Sequence, residues 1–529
     1  DRRRRLPPAD ALALLVRNLL LCREPLYGVG AWASRYEPSL LGLSPEAGSG
    51  LNDDRVGRAL DDLFDADRPS LVLAVVVRAV REFDLRLTRF HNDSTTVTFH
   101  GAYRRADGRL VRGKPTLRIT FGHNKDHRPD LKQLLWSLTV SADGAVPVNY
   151  QVLDGNTTDD QTHVATWDVL RTIAERADFL YVADSKLCTR RNMRHIAEHG
   201  GRFLTVLPRT RKEDKRLKDF MQTHPIPWQE VLRRAHPLGK RHPPDVFGAY
   251  EDPSGSSEGY RIVWYHSTEK ENRDRQEREE RIDRAIRQLQ QLRDRLASPR
   301  TRLRRRDKVD EAIEAIMEES GASRWLLVRV ERKQEVRFRQ VKRGRPGPNT
   351  RYRRMVRQRS DLTWEPRSDA LAYDEKTDGI FPLITNDGKL SPRKILEAYK
   401  LGQPRVEQRH HHLKGVYQVA PQYLKSAARI EAFLCVYFFA LLVNALIERE
   451  TRRAMKRRGR NVLPLYPEGR PCKRPTTEHI LKAFEGLMVH RLSGPGRNHH
   501  VYEPELTRLQ KQVLRLLRIG PRAYRIGRA

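Results

Sequence analysis

The sequence predicts an α/β fold: a mixed sheet with helices on both faces, preceded by a helical N-terminal domain and interrupted by a large insertion. Three observations carry this expectation. Strand patterns follow one another over 85–99, 117–122 and 134–140, and their short connections suggest an antiparallel meander. A helix, strand, helix, strand succession then follows up to residue 208, the alternation that builds helices onto the faces of a sheet. Regularity is lost over 209–378 and returns at the apolar strand GIFPLITN, Gly379 to Asn386.

Taken in order, residues 1–84 read as helices: a basic tip at Arg2 to Arg5, an apolar helix near Ala11 to Leu21, a capped helix around Asn52 to Phe64, and a third from Ser70 to Phe83 with Ser70 as its N-cap. DNA docking and a plain scaffold role both fit this domain. The first part of the sheet domain, 85–208, holds the three strands above as an antiparallel meander. It continues with Val146 to Val152, the loop GNTTDD, and a helix from about Gln161 to Arg176 whose entry acids Asp159 and Asp160 are expected to cap it. A strand at Phe179 to Leu187, a helix near Arg191 to His199 and a strand at Arg202 to Leu207 close this part.

In the insertion, 209–378, the highly charged Lys270 to Ala297 and Lys308 to Glu319 carry apolar stripes and read as a helical hairpin around Pro299. Its Arg-rich tip, Arg300, Arg302, Arg304, Arg305 and Arg306, is either a solvated surface or a phosphate contact. Trp325 to Val330 and Val336 to Lys342 read as a strand pair, followed by a basic loop from Arg343 to Arg354. The sheet domain resumes over 379–450 with a helix holding VEQRHHHLKG and an apolar helix from Ala427 to Arg449. A basic C-terminal domain, 451–529, has helices near Thr477 to Met488 and Glu505 to Leu517.

Composition narrows the function. With 101 Lys plus Arg against 67 Asp plus Glu, the formal charge is +34, so a polyanion is the expected partner and nucleic acid the first candidate. The four cysteines, Cys22, Cys188, Cys435 and Cys472, form no CxxC pair and suit a reducing interior. The apolar run Ile430 to Ile447 contains Glu431 and Asn444 and is expected to be a buried helix, with no membrane partner. No signal-peptide pattern is read at the start.

Two acids stand where strand patterns exclude them. Asp93 interrupts the β-branched and apolar run LRLTRFHNDSTTV, and Asp184 ends the buried strand FLYVADSKL abruptly. Glu407 lies in a helical segment with Lys414 seven residues on, nearly on the same face. Three carboxylates presented by two strands and a helix can hold two hard divalent cations, Mg²⁺ or Mn²⁺. His410, His411 and His412 suggest zinc, but no Cys or acid partner has suitable spacing, and surface or phosphate contact is the better reading.

Asp93 in DSTTV, the turn GHNKDHRPDLKQ, the loop GNTTDD, Asp184 in VADS, and Glu407 with Lys414 together resemble the DDE transposases of bacterial insertion sequences, the insertion-sequence-four family in particular. The resemblance runs from about Asn52 to Ile447 and rests on five motifs in the right order. It implies an RNase H-like core in which Asp93, Asp184 and Glu407, 91 and 223 residues apart, are the catalytic acids and the ligands of two Mg²⁺ or Mn²⁺ ions per active site. It also implies a large insertion before the last catalytic acid.

In that family the Glu helix carries a Tyr, Arg, Glu, Lys signature. Counting from Glu407, Lys414 occupies the Lys position, but the Arg and Tyr positions hold Gln403 and Lys400, with Arg405 and Tyr399 nearby as substitutes. DNA contacts are therefore expected from Lys414, Arg405, Tyr399 and His411, and from Lys125, Arg128 and Lys132 near the first strands. The implied activity is cut-and-paste transposition, with strand cleavage at terminal inverted repeats and strand transfer into target DNA by a homodimer in the bacterial cytoplasm or nucleoid. A structure-selective nuclease of the same fold and a catalytically silent DNA-binding derivative are the alternatives.

Overall fold

The computed structural model describes all residues except 1–5, 45–50, 237–238, 240–241, 299–300, 302, 304, 421–423, 494–498, 521–522 and 524–529. The expected basic tip Arg2 to Arg5, and Pro299, Arg300, Arg302 and Arg304 of the expected hairpin tip, lie outside the described residues. The chain is mixed α/β and divides into two compact units, residues 1–206 with 385–529, and residues 207–384.

The first unit begins with α1 (Pro8–Leu21), α2 (Val29–Ala33), α3 (Asp53–Asp65) and α4 (Arg68–Phe83). Asn52 caps α3 by accepting from Arg55 N at 3.0 Å. The cap of α4 is Asp67 rather than the expected Ser70: Asp67 Oδ1 accepts from Ser70 N at 3.2 Å, because Pro69, which has no N–H to leave unsatisfied, starts the helix two residues earlier.

Five strands of this unit form one sheet in the order β5-β4-β1-β6-β7: β1 (Arg89–Phe99), β4 (Lys132–Ser141), β5 (Pro147–Leu153), β6 (Leu180–Val182) and β7 (Arg202–Val206). Between β1 and β4 lies a short pair, β2 (Leu110–Val111) and β3 (Lys114–Pro115). β1 pairs antiparallel with β4 but parallel with β6, and β6 is parallel to β7. The expected strand 117–122 forms only isolated bridges, Asp107 to Arg118 and Thr120 to Gln133. Its first two amides are taken by side chains instead: Leu117 N donates to Glu431 Oε1 at 2.6 Å and Arg118 N to Asp154 Oδ1 at 2.8 Å, while Ile119 N turns to Ala106 O. The helices α5 (His163–Ala174) and α6 (Arg190–Glu198) follow β5 and β6.

The second unit contains α7 (Lys212–Thr223), β8 (Gln229–Arg234), β9 (Asp245–Glu251), β10 (Arg261–Ser267), α8 (Thr268–Ala297), α9 (Arg306–Ser320), β11 (Leu326–Gln340), β12 (Tyr352–Pro366), α10 (Ser368–Glu375) and, at its end, β13 (Ile380–Thr385). The charged helices α8 and α9 meet through Ala285, Leu289, Leu292, Leu296, Val309 and Met317, the stripe expected of the hairpin. The expected pairing of 325–330 with 336–342 does not occur. Both segments belong to the single strand β11, whose partner is β12. The stretch between them, Glu331 to Glu335, holds no Gly, Pro or Asn to turn the chain, whereas Gly344 to Pro348 supplies both Gly and Pro.

Back in the first unit come α11 (Pro392–Lys400), α12 (Gln403–His411), a π turn (His412–Val416) and α13 (Ala427–Arg457). Then follow α14 (Thr477–Lys482), shorter than expected, the pair β14 (His490–Ser493) and β15 (His499–Tyr502), and α15 (Arg508–Leu516). α13 is long and apolar enough to cross a membrane, but 78% of its most apolar stretch is buried inside the protein. Its Leu442, Ala445 and Leu446 pack with Ala79, Leu85 and Val146, and Phe438 stacks on Tyr150, which stacks on Trp136 of the sheet. The N-terminal helices and the sheet thus share one apolar partner.

Candidate acidic active site

The site starts from strand register. His91 of β1 lies opposite Val182 of the parallel β6. Two residues further along, Asp93 comes level with Asp184: Asp93 sits inside β1, which runs on to Phe99, and Asp184 lies just past the carboxyl end of β6, the place where open α/β sheets bind ligands. Asp93 also pairs with Leu138 of β4, and the strand's polar underside is satisfied locally: Asn92 Nδ2 donates to Ser137 Oγ at 3.1 Å and Thr139 Oγ1 at 2.9 Å.

α12 is pinned against this strand. Gln403 Nε2 donates to Asn92 O at 2.8 Å, and a Cβ at Gly402 would come within 1.9 Å of the His91 ring, so only glycine lets the chain pass there. On the helix, Glu407 and His410 are three apart and share a face. The buried His410 places its Nε2 3.8 Å from Asp93 Oδ2, while Glu407 is exposed.

The three acids feel one another. Burial pushes the Asp93 carboxyl up to about 7, and the charges of Asp184 and Glu407 push the same way against the pull of Lys125. Burial also raises Asp184, whose Oδ1 accepts from Lys186 N at 3.0 Å. The Tyr399 hydroxyl is raised, first by burial and then by Asp184, Asp93 and Glu407, so it stays protonated beside the cluster. His410 is pushed down to about 3 by burial and by Lys125 and Lys414, and is neutral at pH 7.

The lysines near the cluster are tethered. Lys125 Nζ donates to Ser94 O at 2.8 Å and pairs with Asp159 at 2.9 Å. Neither Asp159 nor Asp160 caps α5 as expected: its N-cap residue is Thr162, with no side-chain cap hydrogen bond, and the Asp160 backbone carbonyl accepts from Asn192 Nδ2 at 2.9 Å. Lys414, on the π turn, is bound to Asp126 at 2.6 Å. The remaining expected contacts lie elsewhere: His411 is exposed next to Gly415, Arg128 pairs with Asp130 at 2.7 Å, and Lys132 donates to Ala102 O at 2.6 Å. Arg405 donates to Ala142 O at 2.5 Å, and Ala142 N in turn donates to Arg89 O at the start of β1, four residues before Asp93.

The structure brings Asp93, Asp184, Glu407, Tyr399 and Lys125 together. The displaced Tyr has a physical cause. α11 ends at Lys400 and α12 begins at Gln403, and the break resets the helical phase, so Tyr399 reaches the acids from a position that a continuous helix would turn aside. Sequence reading missed the close approach of Gly402, whose only signal is a glycine between two helical segments.

An oxygen-only donor set with a raised, half-buried carboxylate fits hard divalent cations. The three carboxylates do not, however, all lie within 4.8 Å of one another, so a single ion is not held by all three. A separate group, His412, Glu448 and Glu478, does meet that spacing. There the buried Arg409 already donates to Glu448 Oε2 at 2.9 Å and approaches His412 Nδ1 at 3.4 Å, and Arg452 lies 3.5 Å from Glu448. No family model matches the chain, and no curated protein matches it.

Proposed function

We propose that the chain is a DDE-type DNA transposase with an RNase H-like core, cutting DNA strands and transferring them with Asp93, Asp184 and Glu407 as ligands of two Mg²⁺ or Mn²⁺ ions. The observation that carries the reading is the placement of the acids: Asp93 on β1 level with Asp184 just past the end of the parallel β6, with the Glu407 helix pinned across Asp93. The order antiparallel, antiparallel, parallel, parallel along β5-β4-β1-β6-β7 suits that core.

Asp93, whose carboxyl feels the charges of both Asp184 and Glu407, would hold the ions together with those two acids. When bound, the ions supply Lewis-acid stabilisation of the attacking and leaving oxygens of an in-line displacement at phosphorus. The protein does the rest. Tyr399 keeps its proton and can donate to a non-bridging phosphoryl oxygen. Lys125, fixed by Ser94 and Asp159, lowers the cost of crowding three acids, and Lys414 would exchange its pairing with Asp126 for a backbone phosphate.

The test is cleavage of linear DNA bearing the element's ends, followed by joining to a supercoiled target. Wild type is expected to cut in Mg²⁺ or Mn²⁺ and to join the 3′-hydroxyl to the target. Cutting without joining would favour a structure-selective nuclease. DNA binding that survives Asp93→Ala, with no cutting by wild type, would favour a silent DNA-binding derivative.

A further inference from the structure

The second unit carries a β-ribbon that outgrows its support. Its base is packed: Leu326 and Leu362, with Val328, Val330 and Trp364, close against α8 and α9. Beyond Val330 the strand runs ten more residues to Gln340, roughly 33 Å at the rise of a strand. In that outer half, from 336 to 356, every residue except Gln340 and Thr350 is exposed. An unsupported pair of strands is marginal in water, so a ribbon of this length calls for a partner.

Its chemistry names the partner. Residues 336–357 hold nine Lys or Arg, eight of them Arg, and no Asp or Glu. Register sorts the side chains: Val336 faces Val356, Phe338 faces Arg354 and Gln340 faces Tyr352 on one side, with Arg339 facing Arg353 on the other. Phe338 and Tyr352 are 67% and 52% exposed, large rings displayed among guanidinium groups. Guanidinium forks match phosphates and base edges bidentately, and a two-stranded ribbon fits the major groove, about 12 Å wide. The apolar set is too small and too interrupted by charge for insertion into a bilayer to be favoured.

We infer that residues 336–357 form an arm that grips duplex DNA in the major groove, with Arg337, Arg339, Arg353 and Arg354 on phosphates and base edges and Phe338 and Tyr352 against the sugars and bases. The inference rests on the proposed DNA-processing function and adds to it the surface that holds the substrate.

The test uses the full chain and a fluorescent duplex of arbitrary sequence, titrated over a range of salt. Replacing Arg337, Arg339, Arg353 and Arg354 together by Ala is expected to lower the slope of log affinity against log salt by about 3 to 4, since each lost phosphate contact removes ~0.9. The four-Lys version should keep most of the slope, and Phe338→Ser with Tyr352→Ser should weaken binding at nearly constant slope. An unchanged melting temperature in each variant shows that the packed base is intact. A four-Ala variant that binds with wild-type affinity and slope overturns the arm but leaves the DNA reading standing. A wild type that binds no duplex overturns both. Capture of wild type by phosphatidylserine vesicles, lost in the four-Ala variant while duplex affinity is unaltered, overturns the arm in favour of a membrane contact.

Discussion

Asp93 is ordinary in the unfolded chain and costly in the folded one, and the difference is measurable. Its carboxyl titrates near 3.8 unfolded and about 7 folded. The folded state holds the extra proton between those values, so stability falls as pH rises through this window, is free of the penalty below 3.8 and bears it fully above 7. At 1.36 kcal/mol per unit the penalty is at most about 4 kcal/mol, and nearer 2 after allowance for a side chain 21% exposed. Asp93→Asn should therefore be more stable than metal-free wild type at about pH 7.5, with a flatter pH profile in denaturant titrations. Mn²⁺ should raise the melting temperature of wild type and leave the variant unmoved. Tyr399 gives a second prediction: Tyr399→Phe should slow cleavage about 10- to 100-fold, the worth of one hydrogen bond to a charged group, without weakening DNA binding. Lys400→Ala should leave the rate unchanged. Position 93 was legible in the sequence because a β-branched strand excludes Asp unless a cation or hydrogen bonds stabilise its charge. Arg405 was legible only as a charge near the right motif, and nothing in its spacing showed that its side chain turns to Ala142.

At the level of elements, the Glu407 helix is held by groups that take no part in the proposed chemistry. Arg409 is wholly buried and donates to Ala145 O at 3.0 Å, Asn444 Oδ1 at 3.2 Å and Glu448 Oε2 at 2.9 Å, tying α12 to α13 and to the turn after β4. Arg409→Met should cost about 3 kcal/mol in chemical denaturation, because it leaves the buried Glu448 charge with only Arg452 at 3.5 Å, and adding Glu448→Leu should recover much of the loss. Gly402→Ala should cost about 1–3 kcal/mol through its clash with His91, and should lower cleavage more than stability alone explains, since the break at Gly402 sets the phase of both Tyr399 and Glu407. These elements were only partly legible. The Glu407 helix was readable, but α11 was not read as a separate helix, because the two-residue break after it is set against His91, more than 300 residues away in sequence. The strand expected at 117–122 failed for the same kind of reason, its first two amides being claimed by Glu431 and Asp154.

Across the whole molecule, long-range organisation followed from contrasts in pattern. The loss of regularity after residue 208 and its return near 379 lie close to the observed unit limits at 207 and 384, because an independently packed unit carries its own apolar stripes. The ribbon of 15 paired residues on each strand was not legible, since its charged outer half resembles a loop and its length is set by backbone pairing. The apolar run at 430–447 is a buried helix, and its Glu431 is accommodated by Arg68 at 3.0 Å.

What matters most is which carboxylates hold metal. The most direct measurement is an anomalous difference map from crystals of the chain with DNA and Mn²⁺. Two peaks about 3.5–4 Å apart, held by Asp93, Asp184 and Glu407, are the predicted result. Mn²⁺ bound only at His412, Glu448 and Glu478, or none near Asp93, would contradict it.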